Sequence, residues 1–275
     1  MIKKLIGLVF FIIGLLILIV LLRQPSHNRS WEKESQILPE VSITDNLITI
    51  KNTRDFTYAT SSITNYGYVD REIDIQDVEK VYFVIEPFSA WKAVGHTFLT
   101  FDIKGQEPIA FSVEARREDD ESYSALRGLF NTYELWYVWG NETDLITRRG
   151  LYLDHPLHMY DLELSSEGAQ KLFKGLAEKT ITIQSNPKFY NSLFTNCTNE
   201  LAHIANYVTP HKIPLHYSLF FTGYADEYLY KLGLIQNSIP FVDLEKKTYI
   251  TDIVKEISSS GNFSKELREK LSAQK

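Results

Sequence analysis

From Leu5 to Leu22 the chain carries no charge: these 18 residues are Leu, Ile, Val, Phe and Gly only. At 1.5 Å rise per residue, a helix of that length just crosses a ~30 Å hydrocarbon core. Lys3 and Lys4 precede the run, and Arg23-Gln24-Pro25-Ser26-His27 follows it without the small-x-small pair of a cleavage site. It is also longer than the ~7–15 residues of a signal-peptide core. Residues 1–23 therefore read as an uncleaved signal anchor, one N-terminal transmembrane helix. Lys3 and Lys4 on one side nearly balance Arg23, Arg29 and Lys33 on the other, so charge does not orient it. Its position at the extreme N-terminus, as in an export signal, places the rest of the chain outside the cytoplasm.

Residues 24–39 are polar and mixed, and read as a short, flexible tether above the bilayer. Residues 40–275 form one domain, long enough to bury a substantial core. Three of the 29 basic residues and none of the 35 acidic ones precede Gln24, which leaves 26 against 35 and a net charge of −9 beyond that point. An acidic domain is a poor nucleic-acid binder. With a single cysteine there is no internal disulfide and no cysteine-cluster metal site.

The pattern predicts strands first. Val41–Ile43 and Leu47–Ile50 flank a turn at Thr44-Asp45-Asn46, and Phe56–Thr60 continues that sheet. Val81–Ile85 follows, and then a hairpin of Gly95–Ile103 and Ile109–Ala115 around Lys104-Gly-Gln-Glu-Pro108. Alternation puts His96, Phe98, Thr100 and Asp102 on one side of the first hairpin strand. Tyr133–Trp139 and Tyr160–Leu164 offer weaker strands. Helices are expected after the cap Ser165, from Asn196 to a stop at Pro210, over Tyr224–Leu232 and over Ser264–Leu271. The mixture implies an α+β fold with an antiparallel sheet.

Asn196 is a strong N-cap type, which puts Cys197 in the first turn of its helix. There the helix dipole and unpaired N–H groups favour the reactive thiolate. A lone cysteine is more commonly a buried small hydrophobe, so position alone leaves both readings open. A thiolate nucleophile needs a histidine. His27 lies in the tether, His155 and His158 in a loop-like Asp-His-Pro-Leu-His stretch, and His203 faces away from Cys197 on the same helix. His211 and His216 follow that helix and can fold back. His96 opens a strand directly after Gly95, where a close backbone approach is possible, and competes with a purely structural role. The charge run Glu114–Glu121 leaves the paired strand, so Glu114 or Arg116 can point into the same cleft, or simply form a surface ion-pair network.

Gly95-His96-Thr97-Phe98-Leu99-x-Phe101, Ser112-Val113-Glu114-Ala115-Arg116-Arg117-Glu118 and Tyr190-Asn191-x-Leu193-Phe194-x-Asn196-Cys197-Thr198 stand in one order along the chain. Together with Ile50–Phe56, this series resembles the periplasmic domain of Lnb-type lipoprotein N-acyltransferases, over roughly Trp31 to Pro214. The resemblance implies a papain-like thiol fold in permuted, NlpC/P60-like order, with histidine before cysteine. It maps the nucleophile onto Cys197 and its partner onto His96. It also implies acyl transfer from a membrane phospholipid, through a thioester, to the amine of a lipoprotein N-terminus, in a single-pass protein of the bacterial inner membrane with its main domain in the periplasm. Glu114 is then the expected orienter of His96, and Arg116, Tyr123 and Asn196 the expected substrate contacts. No cofactor or metal is implied. The better-known members continue into a multi-helix membrane domain, whereas no apolar run of spanning length follows Val208 here. The alternatives are a cell-wall amidase or peptidase of the NlpC/P60 kind, or a non-catalytic envelope scaffold. A lipid donor calls for an apolar groove beside Cys197, a muropeptide for an open polar cleft.

Overall fold

Alternation along the strand Gly95–Ile103 decides how this chain is layered. In the computed structural model, Leu99, Phe101 and Ile103 join one core cluster, while Phe98 joins a second on the opposite face of the sheet. The structure describes residues 2–210 and 212–274, and only the backbone for part of the first helix. His211, one of the candidate histidines, lies outside the described residues.

The sheet contains β1 (Glu40–Thr44), β2 (Leu47–Ala59), β3 (Ser62–Asp74), β4 (Val78–Pro87), β5 (Gly95–Ile103), β6 (Ile109–Arg116), β7 (Glu134–Asn141) and β8 (His158–Asp161). Their order is β1-β2-β7-β6-β5-β4-β8, with β3 paired to β2. The β5–β6 hairpin forms as expected. The sheet is mixed rather than antiparallel throughout, because β2 meets β7 in parallel at Arg54 and Gly140. The long polar strand β3 answers no hydrophobic signal: most of its side chains are at least partly exposed.

The helices are α1 (Ile2–Leu22), α2 (Glu142–Thr147), α3 (Ser166–Ser185), α4 (Cys197–Val208), α5 (Ala225–Lys231), α6 (Phe241–Lys247), α7 (Thr251–Ile257) and α8 (Phe263–Ala273). Helices α3 and α4 cover one face through Leu172, Phe173, Leu176, Leu201 and Ile204. Helices α7 and α8 cover the other through Val254, Ile257, Leu267 and Leu271. This is an α+β fold with a helix layer on each face of a mixed sheet. Helix α1 is present where expected, with Phe10 and Phe11 largely exposed. Among the described residues no helix is long and apolar enough to cross a membrane.

The expected flexible tether is instead a packed segment. The His27 ring bonds the Ile183 carbonyl (2.8 Å), and Arg29 pairs with Glu134 (2.7 Å). Trp31 is buried, and the backbone of residues 30–32 bonds that of Arg117 and Asp119. Hydrogen bonds made by this polar run with the body outweigh its freedom as coil.

One buried pair ties β2 to α2. Arg54 forks onto Asp144 at 2.9 and 2.8 Å, and the Phe56 N–H and Tyr58 hydroxyl each donate to the same carboxylate at 2.8 Å. Asp144 is wholly buried. Removing one member strands the other's charge inside the protein, so Asp144→Ala should lower the unfolding free energy by about 3–5 kcal/mol. The double change Arg54→Met/Asp144→Leu should cost less than the two single losses combined, as read by urea denaturation.

Candidate active site

Cys197 owes its setting to the residue before it. The Asn196 side chain accepts the Asn199 N–H (2.8 Å), capping α4 and fixing Cys197 as its first residue. The thiol is buried. Burial alone would raise its pKa, but the neighbouring His96 charge, a hydrogen bond from that imidazole, and the Thr97 N–H and hydroxyl outweigh this and lower it. Thr97 and Thr198 also join hydroxyls at 3.0 Å, which clips β5 to α4 beside the thiol.

His96 reaches the thiol from the start of β5. Gly95 makes that position possible: a Cβ there would lie 3.0 Å from the Gly223 Cα, and one on Gly223 would collide with the Lys92 carbonyl. The close approach is therefore by a neighbouring backbone, held by Thr222, whose hydroxyl accepts the Gly95 N–H and donates to the Gly95 carbonyl. The His96 Nε2 lies 2.8 Å from the Ser112 hydroxyl and 3.3 Å from the Glu114 carboxylate. Burial disfavours the imidazolium, yet Glu114 and the Cys197 thiolate raise its pKa to about 10. Against the cost of its own burial, the same charges and Arg149 hold Glu114 well below the usual carboxylate range. At neutral pH His96 is therefore held as an imidazolium with Glu114 ionised behind it, and both its charge and its hydrogen bond shift the Cys197 thiol toward the thiolate.

Arg149 extends the array. It lies on the π-helical turn Arg148–Tyr152 that follows α2, and it is buried. Its Nη2 donates to Glu114 (2.6 Å) and its Nε to Glu86 (2.9 Å), and its guanidinium rests over the Phe98 ring. Glu86 in turn holds the Nδ1 of His155 at 2.5 Å. Its pKa is lowered despite the opposing effect of burial, through the His155 hydrogen bond and the Arg149 charge. Glu86 and His96 are direct cross-strand partners, so their side chains stand side by side on one face.

Cys197, His96, Glu114, Glu86, Arg149 and His155 all line one cavity of about 610 Å³. The most exposed side chains of its lining are apolar, beside the ion pairs Glu32–Arg117 and Glu34–Arg148. Trp91 and Leu126 are 62 and 68 % exposed at its edge, with Phe221 beside Trp91 (6.0 Å between rings). Phe194, also exposed, packs edge-on to Phe220 of the cavity wall.

The family model described as Lnb N-terminal periplasmic domain matches residues 65–223. That is more than half of the chain, and it contains each of the six residues just named. The chain belongs to this family. Membership gives it an envelope location, as the sequence motifs implied. The match starts within β3, so the Ile50–Phe56 segment lies outside it, and it ends at Gly223, the residue packed on Gly95. No curated protein and no solved structure matches the chain.

In this Lnb N-terminal domain the expected residues separate into two groups. Tyr123 lines the cavity, 3.5 Å from the Tyr190 hydroxyl. Burial raises the pKa of both phenols, so both remain O–H donors at neutral pH. Arg116 is not in the cavity. It donates to the carbonyls of Ser35 (2.9 Å) and Gln36 (3.0 Å) and lies on the Trp31 ring, clamping the segment that follows α1. Asn196 borders the cavity but is committed elsewhere: its oxygen caps α4 and its NH₂ donates to the Ser192 and Leu219 carbonyls. It positions Cys197 rather than substrate. Of the other histidines, His158 bonds the Glu245 carbonyl and His216 stacks on Tyr228. His203 points to solvent. Arg149, Glu86 and His155 are the additions that the sequence reading missed. Only the Asp-His-Pro-Leu-His stretch gave any signal of them.

Because the thiol pKa is lowered, iodoacetamide alkylation of Cys197 should show its inflection below the ~8.5 of an ordinary cysteine. His96→Ala removes the stabilising cation and should move that inflection upward. Glu114→Gln, by lowering the pKa of His96, should move it the same way but less. Alkylation rates followed by intact-mass spectrometry from pH 5 to 10 test both.

Proposed function

We propose that this protein is a membrane-anchored, cysteine-dependent acyltransferase of the periplasm, related to papain-like thiol enzymes in permuted order. The observation that carries the reading is Cys197 at the start of α4, hydrogen-bonded to His96 and backed by Glu114, in the lining of a cavity whose exposed side chains include Trp91, Leu126 and Phe221. Exposed apolar side chains at Trp91, Leu126 and Phe221 suit a phospholipid acyl chain better than a muropeptide. In this reading the charge-free sequence run Leu5 to Leu22, part of whose side chains lie outside the described residues, is the membrane anchor.

Cys197 attacks an ester carbonyl of the phospholipid. Backbone N–H groups in the first turn of α4, which precede its first internal hydrogen bond, serve as oxyanion donors. His96 gives its proton to the departing alkoxide and leaves a thioester on Cys197. Glu114 orients the imidazole and stabilises its charged form. Attack by the amine of a lipoprotein N-terminus then releases the thiol.

The test uses the full chain in phosphatidylcholine vesicles with a lipopeptide bearing a free N-terminal cysteine. Mass spectrometry should find a hydroxylamine-labile acyl group on Cys197, and an amide on the lipopeptide. Cys197→Ala should reduce transfer by on the order of 10⁴-fold or more. Undiminished transfer by that variant would remove Cys197 as the nucleophile, no transfer and no acyl group on Cys197 in the parent protein would point to a non-catalytic scaffold, and muropeptide cleavage without acyl transfer would point to a wall amidase.

A further inference from the structure

The cavity holds two histidine–carboxylate pairs, and the thiol chemistry uses one of them. His96 stands against Glu114, and His155 against Glu86 through its Nδ1. Arg149 joins the two carboxylates. The His155 Nε2 makes no hydrogen bond to a described residue, and the side chain keeps 29 % exposure on the cavity wall. A histidine whose Nδ1 is held by a carboxylate presents the other nitrogen as a base.

Proton counting gives the second base a task. In acylation the imidazolium of His96 gives its proton to the leaving alkoxide, so the acyl-enzyme has neutral His96. A water molecule attacking the thioester needs to lose one proton, which His96 accepts. An amine arrives as an ammonium ion near neutral pH, since an α-amino group titrates at about 7.7–8.0. It must lose one proton to become a nucleophile and a second to become an amide. His96 can take only one of the two.

We propose that His155, oriented by Glu86, is the base that takes the first proton from the ammonium of the acyl acceptor. This deepens, and rests on, the acyl-transfer reading. The neutral amine then forms the C–N bond at the thioester carbonyl and gives its second proton to His96. The C–S bond breaks with its electron pair on sulfur, and the thiolate–imidazolium pair is restored. His155 releases its proton to solvent. The charge of the site agrees: in the acyl-enzyme Glu114, Arg149 and Glu86 leave one negative charge in excess. Glu32 and Glu34, also lining the cavity, are already paired with Arg117 and Arg148. The charged groups facing His155 are Glu86, Arg149 and, next in the chain, Asp154 with its partner Lys255.

The experiment measures how the acyl-enzyme partitions between amide and free acid, using the full chain, a p-nitrophenyl ester as donor and a peptide with a free N-terminus as acceptor. At pH 6.5, His155→Gln should reduce the amide-to-acid ratio by about 10- to 100-fold. At pH 9, where the acceptor is already a neutral amine, the deficit should shrink to within about twofold. A weakly basic acceptor such as trifluoroethylamine should show little deficit at either pH, and His155→Ala should repeat the pattern. A deficit that is the same at both pH values and for both amines would mean a structural role and overturn the proposal, as would no deficit at all. If the parent protein gives no p-nitrophenol burst, both the acyl-transfer reading and this proposal fall. A burst with unaltered partitioning overturns the proposal alone.

Discussion

A guanidinium with almost no access to water is tolerated only where its charge is met on more than one side, and Arg149 meets it with Glu86 and Glu114. Each carboxylate faces a histidine, so this one side chain ties both histidine–carboxylate pairs into a single array. The location of Arg149 has a backbone cause. The π-helical turn adds a residue per turn relative to an α-helix, and such turns concentrate at functional sites. Asp144, in the preceding helix, is locked to Arg54 on β2. The site therefore depends on a buried ion pair at its border, with Arg54 in the cavity lining, through α2 and the turn.

The thiol end of the site was legible because it rests on local rules. An Asn before the cysteine, an apolar run at helical spacing and a proline after it define α4 from sequence alone. The glycine before His96 marked the close backbone contact that Gly223 supplies. The arginines were not legible. Arg116 stands two residues from Glu114 on the same strand, yet it turns to Trp31 and the carbonyls of residues 35 and 36. Strand alternation does not report which neighbour a long side chain reaches. Arg149 gave no signal because its partners are 35 and 63 residues away in the chain.

Strand β3 was missed for a related reason. All its side chains but Ile73 are partly or fully exposed in no regular order, so no hydrophobic period marks it, and only pairing with β2 reveals it. The short helices α6 and α7 carry too few turns for a periodic signal to stand out. The mixed character of the sheet also depends on contact between distant segments, at Arg54 and Gly140, rather than on any property of either strand.

The packed segment after α1 has a mechanical consequence. A loose linker would let the body sample every orientation relative to that helix and would make its reach a function of linker length. Here the Arg23 guanidinium sits 5.9 Å from the Phe189 ring centre, on the same loop that leads through Phe194 to Cys197, and His27, Arg29 and Trp31 are fastened soon after. The connection acts as a bracket. Its height and facing are set by folded contacts, so the cavity mouth keeps one aspect toward whatever surrounds the end of α1.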